Sequence, residues 1–248
     1  TNMEGVVEHK YIYNLAGNLI KDIDAKGYLQ AENDQDRSGI LYCYDLAGNV
    51  TQIRRPVSQT SDGQTKYRLN TYRYDLMGCC IEEKRYLEEQ SEVSAEGRVN
   101  VIHYTYDQAS RLTSVTDSTG AHMEYAYDGR NLRTMERYKI AEGIYQERHY
   151  AYSASGRLVK IMESADEKGC GRKYVPTQIS YDGNGNITRI QTPSGNEILR
   201  EYDQSNHLLS ETHKEKGGSI LNRITFTYDL NGNLIQRTES NGFYTRYQ

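Results

Sequence analysis

The sequence contains no Trp, only two Phe and only three Pro among its 248 residues. Hydrophobic residues make up 36% of the chain, which is little for a protein with a dry globular core. Tyrosine is instead abundant, with 23 residues. Because a tyrosine ring packs while its hydroxyl needs water or a hydrogen-bond partner, this composition favours a β-sheet with a solvated side. At this length the chain can bury a sizeable core as one large β domain or two smaller ones.

Long hydrophobic runs and an excess of positive charge are also missing. No apolar run approaches the ~18 residues that a membrane-spanning helix needs. The first ten residues, TNMEGVVEHK, lack the charged-then-apolar pattern of a signal peptide. If the protein is exported, we expect either a signal outside this sequence or a different export machinery. The net charge of −4 argues against a nucleic-acid partner, because phosphate contacts require basic patches.

The sequence has no residue pattern that is typical of a catalytic or metal site. Its six histidines are scattered without HExxH or other ligand spacing, and GxSxG and P-loop motifs are absent. We therefore expect a non-enzymatic protein with no cofactor and no bound metal. Four cysteines show no CxxC pattern and are interpreted as unpaired small residues: Cys43, Cys79, Cys80 and Cys170. Two formal glycosylation sequons begin at Asn49 and Asn186.

What the sequence does contain is a repeat of the form Tyr-x-Tyr-Asp-x-x-Gly-(Asn/Arg)-Leu. The second Tyr of each copy stands at positions 13, 44, 74, 106, 127, 152, 181, 202 and 228, at intervals of 21 to 32 residues. Since the interval varies, the repeated object is a hairpin with loops of variable length, and not a solenoid coil of fixed length. Fifteen of the 23 tyrosines occupy the two Tyr positions. We expect a structural tyrosine ladder that includes Tyr11, Tyr13, Tyr42, Tyr44, Tyr72, Tyr74, Tyr104, Tyr106, Tyr125, Tyr127, Tyr150 and Tyr152.

Each position of the repeat has a physical explanation. Two tyrosines spaced by two residues lie on the same face of a strand. The following Asp suits the first position of a type I turn, and the Gly three residues later can adopt the left-handed conformation that closes the turn with a bulge. The predicted structural turn residues are Asp45, Gly48, Asp75, Gly78, Asp182, Gly185, Asp229 and Gly232. Ser110 and Asn206 replace the Gly in two copies.

The segments after the turns carry apolar residues spaced by three. Val50 and Ile53 form one such pair, and we place Leu132 and Met135 as another, with Leu132 starting its return strand. A spacing of three is typical of a helix, but these runs are only five to seven residues long. A bulge after the turn would shift the register by one residue, so we predict strands.

Further turns join one hairpin to the next. The segments DAKGY at 24, SDGQTKY at 61, DSTGAHMEY at 117, TPSGNEI at 192 and ESNGFYTRY at 239 are interpreted as these second turns. Two polar connectors, 84–100 and 162–175, are expected to be solvated loops. No linker divides the chain, so residues 1–248 are predicted to form a single all-β array of about nine hairpins, an antiparallel meander.

The repeat resembles the YD repeat of the RHS family, which includes bacterial rearrangement-hotspot and wall-associated proteins, the B and C components of insecticidal Tc toxins, and the teneurins. The stretches YDLAGNV from Tyr44, YSASGRL from Tyr152 and YDLNGNL from Tyr228 carry this resemblance, which covers nearly the whole chain. It implies a long antiparallel sheet curved into a shell, the β-cocoon, that encloses a C-terminal toxin or other cargo. The Asp-Pro motif of complete bacterial members is absent, so we expect a stretch of shell wall without the cleavage site.

Two functions remain open from the sequence. The first is structural scaffolding: a secreted or surface-displayed bacterial shell segment, whose partners would be the rest of the shell, its toxin cargo and other copies bound at open strand edges. The second is a cell-surface adhesion or glycan-binding module that uses the tyrosine-lined face, since aromatic rings on a sheet can stack on sugars. Packing is the simpler explanation of the tyrosines, because equivalent rings recur on every second strand.

Overall fold

The computed structural model describes residues 8–61, 63–89, 97–165 and 173–247, and shows an all-β, antiparallel architecture. The described residues contain nineteen strands and one short helix. The chain divides into two units, Thr1–Glu124 and Tyr125–Gln248. In both units the hairpins follow the repeat of the sequence, and the predicted all-β meander is confirmed.

The first unit contains β1 (His9–Tyr13), β2 (Leu19–Asp24), α1 (Ala25–Gln30), β3 (Ile40–Tyr44), β4 (Val50–Gln59), β5 (Thr65–Tyr74), β6 (Cys80–Tyr86), β7 (Val99–Tyr106) and β8 (Leu112–Asp117). The boundary between the units falls within β9 (His122–Tyr127). The second unit contains β10 (Arg133–Ala141), β11 (Ile144–Tyr152), β12 (Leu158–Ala165), β13 (Lys173–Tyr181), β14 (Ile187–Gln191), β15 (Glu197–Tyr202), β16 (Leu208–Lys214), β17 (Ile220–Tyr228), β18 (Leu234–Glu239) and β19 (Tyr244–Arg246).

Within each unit every strand pairs antiparallel with the next strand along the chain. The register shifts by one residue where the second Tyr of a repeat meets the return strand, for example between Cys43 and Tyr44, so that Tyr42 pairs with Ile53 and Tyr44 with Val50. The same shift occurs at Tyr13, Tyr74, Tyr106, Tyr152, Tyr181, Tyr202 and Tyr228. The spacing of three therefore belongs to bulged strands: because of the bulge, the first residue of the return strand and the residue three positions later, such as Val50 and Ile53, both pair with tyrosines.

The tyrosine face and the opposite face both carry buried residues. On the tyrosine face, the first Tyr of a repeat lies opposite the fourth residue of its return strand, as in the pairs Tyr72–Glu83 and Tyr104–Val115. The buried hydrophobic residues in the described part of the chain are Ile23, Leu69, Ile102 and Ile224. With so small a buried set, most of the stabilising area comes from half-buried side chains that pack between neighbouring strands.

The segment DAKGY does not form the tight turn that its composition predicts. Asp24 caps α1 instead, with Oδ1 accepting a hydrogen bond from the Gly27 amide at 2.7 Å. A Cβ at Gly27 would lie 2.1 Å from the Ser38 carbonyl oxygen, so the close return of the chain requires glycine there. The excursion packs over the face opposite the tyrosines, where Ile23 is fully buried and the Arg37 guanidinium lies 3.7 Å from the centroid of the Tyr28 ring.

The structure also corrects the predicted start of one return strand and the predicted bounds of the two connectors. Leu132 does not begin a return strand: Asn131 takes the left-handed position, and β10 begins at Arg133. The connectors are shorter than 84–100 and 162–175, because β6 extends to Tyr86 and β13 begins at Lys173. The remainder of these connectors at 90–96 and 166–172, and with it Cys170, lies outside the described residues.

Candidate functional site

The turns of the repeat share one hydrogen-bond pattern, shown here for the second copy. Asp45 exchanges backbone hydrogen bonds across the turn: its amide donates to the Asn49 carbonyl at 3.0 Å, and its carbonyl accepts from the Gly48 amide at 3.2 Å. The Asp45 carboxylate accepts from the Ala47 and Asn49 amides at 2.9 and 2.8 Å. The equivalent carboxylates of Asp75, Asp182 and Asp229 are placed in the same way. This is a type I turn whose first side chain caps two backbone amides.

These hydrogen bonds lower the pKa of three turn carboxylates, those of Asp45, Asp182 and Asp229. The side-chain amide of Asn49 is the largest cause for Asp45, and Asn186 and Asn233 act in the same way on Asp182 and Asp229. A lowered pKa in the folded state means that the stabilisation is present above the pKa of the unfolded chain and is lost as the pH falls. The repeated turns thus favour the folded state at neutral pH and weaken together in acid.

The fourth position of every turn adopts a left-handed conformation. Gly48 has φ +87°, and Gly78, Gly185 and Gly232 have φ between +80° and +99°. Three turns place other residues there, Ser110, Asn131 and Asn206, at φ from 59° to 67°. The left-handed residue at Asn131 was not predicted, because Gly129 in the same turn is the residue that the sequence pattern favours for that conformation.

Neighbouring turns also contact one another, which sequence reasoning missed. A Cβ at Gly232 would lie 2.8 Å from His207 Nε2 of the preceding turn, whose imidazole stacks on the Tyr228 ring with 4.7 Å between centroids. A Cβ at Gly185 would similarly meet the Arg157 guanidinium. In these two turns the residue after one left-handed position covers the glycine of the next turn. The varied Asn, Arg and His at this position gave no signal of the contact.

We expect Gly232→Ala to destabilise its hairpin by about 2 kcal/mol or more, because alanine adds a left-handed strain of roughly 1–2 kcal/mol and a contact with His207. Gly48→Ala is the matched control, since Gly48 has nearly the same φ and nothing within 4 Å of an added Cβ. The Gly48→Ala variant should therefore lose only the stability that the left-handed strain costs. Native-state hydrogen exchange of the turn amides measures both losses, and equal losses would contradict the contact between turns.

The second Tyr of the repeat bridges consecutive hairpins. The Tyr44 hydroxyl donates to the Leu19 carbonyl at 2.6 Å, and the Tyr74 hydroxyl donates to the Val50 carbonyl at 2.9 Å. In each case the acceptor is the first residue of the preceding return strand. The same bond joins Tyr106 to Cys80, Tyr152 to Arg133, Tyr181 to Leu158, Tyr202 to Ile187 and Tyr228 to Leu208.

This bond explains a difference between the two Tyr positions. The second position is Tyr in all nine copies, whereas the first is Ile179, Arg200 or Phe226 in the last three. Only a ring that carries a hydroxyl reaches the carbonyl of the preceding hairpin, so tyrosine is needed at the second position. Where Arg200 stands at the first position, its Nε donates to Glu211 opposite it at 2.7 Å.

Two carboxylates, one buried and one half-buried, extend the ladder on the tyrosine face. Glu83, 7% exposed, accepts from the Tyr104 hydroxyl at 3.0 Å, from Arg85 Nε at 2.7 Å and from Asn70 Nδ2 at 3.0 Å. The Arg85 guanidinium is the largest cause that lowers the pKa of Glu83. Burial, followed by the hydrogen bond to Glu83, raises the pKa of Tyr104 to about 12. At the equivalent position, Glu136 hydrogen-bonds with Tyr150 and pairs with Arg148 at 2.8 Å.

The other predicted tyrosines lie in β1 and β9, and the two sequons lie in turns. Tyr11 and Tyr13, in β1, are 50% and 57% exposed. Tyr125 stacks under the Arg133 guanidinium, with the ring centroid 5.1 Å from Cζ, and Tyr127 ends β9. Both sequon amides are used inside turns: Asn49 Nδ2 donates to Asp45, and Asn186 Nδ2 donates to Asp182 and Asn206.

The cysteines and histidines form no centre within the described residues. Cys43, Cys79 and Cys80 are free thiols. No group of three metal-binding side chains comes together among the described residues. In the same part of the chain, no helix is both long enough and apolar enough to span a membrane.

The fold places the chain in a class of proteins: tandem β-hairpin repeats in which the second tyrosine of a repeat joins consecutive hairpins within each unit. Residues 87–199 match the Teneurin YD-shell family. Seven of the nine hairpins carry Asp directly after the second Tyr, and Asn14 and Ser153 take its place in the other two. The match to residues 87–199 supports a YD-repeat shell family, as the sequence resemblance implied.

Comparison with solved structures gives remote similarities. The chain is 14% identical to a crystal structure of TcdB2-TccC3, with a TM-score of 0.44, covering 96% of this chain and 18% of that one. It is 15% identical to a Tc holotoxin pore of Photorhabdus luminescens that carries a mutation in TccC3, with a TM-score of 0.42 and the same two coverages. A porin-like protein from Bacteroides uniformis is 13% identical, with a TM-score of 0.36, 79% of this chain and 92% of that chain being covered. This chain thus spans about a fifth of the length of the Tc toxin chains, and no curated protein matches it significantly.

Proposed function

We propose that this chain is a segment of wall in a YD-repeat shell that encloses a toxin or other cargo and helps to deliver it, in a secreted or surface-exposed particle. The wall itself carries out no catalysis. The match of residues 87–199 to the Teneurin YD-shell family supports the shell-forming part of this proposal.

The observation that carries the proposal is the hydroxyl bond that joins consecutive hairpins. Seven second-position tyrosines donate their hydroxyls to the preceding hairpin, whereas the Tyr13 ring, in β1, is 57% exposed. Tyr11, on the same face, is 50% exposed. The same bond recurs from one hairpin to the next within each unit, which suits a continuous wall built from identical contacts. The use of the internal hydroxyls in packing also favours a wall over a glycan-binding face.

Protease protection in the native assembly tests this function. The complete gene product that contains this sequence would be purified from its host and treated with protease, with and without mild denaturant. A shell wall predicts a hollow particle in electron micrographs and an enclosed polypeptide that is digested only after the shell opens. A particle with no enclosed polypeptide, or cargo digested at the same rate under both conditions, would contradict the proposal.

A further inference from the structure

Three consecutive turns of the first unit expose a leucine at their tips. Leu15, Leu46 and Leu76 occupy the second position of their turns, and each is fully exposed, at 106–110% of the reference area. We call these three residues the leucine row. The adjacent third positions are also apolar: Ala16, Ala47 and Met77, the last of which is 77% exposed.

The fold does not require leucine at this position. In five of the six other copies the second turn position is Gln108, Gly129, Ala154, Gly183 or Gln204, and these turns form the same backbone hydrogen bonds. The ninth copy carries an isolated leucine, Leu230. A tight turn tolerates polar residues at this position, and three neighbouring exposed leucines bury no area within the unit. A row of apolar side chains that the fold does not use is typical of a protein interaction site.

The spacing and charge of the row indicate the shape of its partner. Neighbouring hairpins are two strands apart, roughly 9.4–9.8 Å, so the leucines recur at about that distance. Seven residues of an α-helix span about 10.5 Å, close to the same repeat. The three turns contain Asp45 and Asp75 but no Lys or Arg, so the row has a negative border. A groove of about 530 Å³ between the first two turns is lined by Ala16, Leu46 and Ala47, among others.

We propose that the leucine row docks an amphipathic α-helix of a partner, with apolar residues at i, i+7 and i+14 and basic residues beside them. The apolar side chains lie between and over the turn leucines, and the basic ones face the two aspartates. This surface is at the turn ends of the strands and does not depend on the proposed shell function.

A designed peptide provides the probe: a 21-residue helix with leucines at i, i+7 and i+14 and lysines on both sides of that stripe, labelled for fluorescence anisotropy. The test variant is Leu15→Gln/Leu46→Gln/Leu76→Gln, whose turns remain compatible with the fold because Gln108 and Gln204 hold the same position. The matched control is Leu230→Gln, an equally exposed turn leucine without apolar neighbours in the adjacent turn.

We expect the peptide to bind the unaltered chain, to bind the triple variant about tenfold or more weakly, and to bind the Leu230→Gln variant within about twofold of the unaltered affinity. Binding should weaken with salt, and a peptide with glutamate in place of lysine should bind less well. Equal affinity for the triple variant and the unaltered chain would overturn the proposal. So would leucine-dependent binding to neutral lipid vesicles without binding to the peptide, since a membrane surface would then be the partner.

Discussion

Tyr74→Ala is expected to destabilise the third hairpin by about 3 kcal/mol. The substitution removes a half-buried ring from the tyrosine face and leaves the Val50 carbonyl without the hydroxyl that donates to it at 2.9 Å. Truncation of large aromatic side chains in packed sites costs about 3–5 kcal/mol, and incomplete burial of Tyr74 places it near the lower end. Because repeat arrays open locally, native-state hydrogen exchange of the β3–β6 amides is the appropriate measurement.

Tyr13→Ala is the matched control for this prediction. Tyr13 has the same place in its repeat, but its ring is 57% exposed and lies in β1, so its loss should cost less than about 1 kcal/mol. The loss of stability for Tyr74→Phe should lie between these two values, at about 1 kcal/mol, because this substitution removes only the hydroxyl. Similar losses for Tyr74→Ala and Tyr13→Ala would show that the contact between hairpins contributes little.

The repeat made much of the fold predictable from sequence. The turn of Asp45 and Gly48 follows from local chemistry, because one carboxylate and one left-handed residue determine its backbone path. The bulged strand after Val50 also follows from local pattern, since a spacing of three in a run too short for a helix requires a register shift. These features depend on residues only a few positions apart, and the repeat shows each of them several times.

The features that could not be predicted depend on contacts between hairpins. The position of the Tyr44 hydroxyl at the Leu19 carbonyl depends on how one hairpin sits on another, 25 residues away. The only trace of it in the sequence is that the second position never changes to Phe. The helix after Asp24 was missed for a similar reason: its cap is local, but the space above Ile23 that accommodates the excursion is tertiary.

The cluster around Glu83 gives the second large effect, an expected loss of about 3 kcal/mol for Glu83→Gln. Three donors converge on this 7% exposed carboxylate, from Asn70, Arg85 and Tyr104. An amide of the same size offers one acceptor oxygen and brings its own donor against them. Removing one partner of a buried charged pair typically costs about 3–5 kcal/mol, and the partial exposure of Arg85 reduces this value.

The pH dependence of stability separates the cluster from a simple packing effect. The pKa of Glu83 is lowered in the fold, so its stabilisation is present above the unfolded pKa, near 4.5, and is lost as the pH falls. The pKa of Tyr104 is raised from 10.0 to about 12, so its stabilisation is complete below pH 10 and is lost between about pH 10 and 12. We expect urea unfolding at a series of pH values to show an alkaline loss in the unaltered chain that is smaller in Tyr104→Phe. Glu83→Gln should reduce both the acid and the alkaline losses, because Tyr104 then has no adjacent negative charge. A variant with unchanged stability and an unchanged pH profile would show that Glu83 does not hold the cluster together.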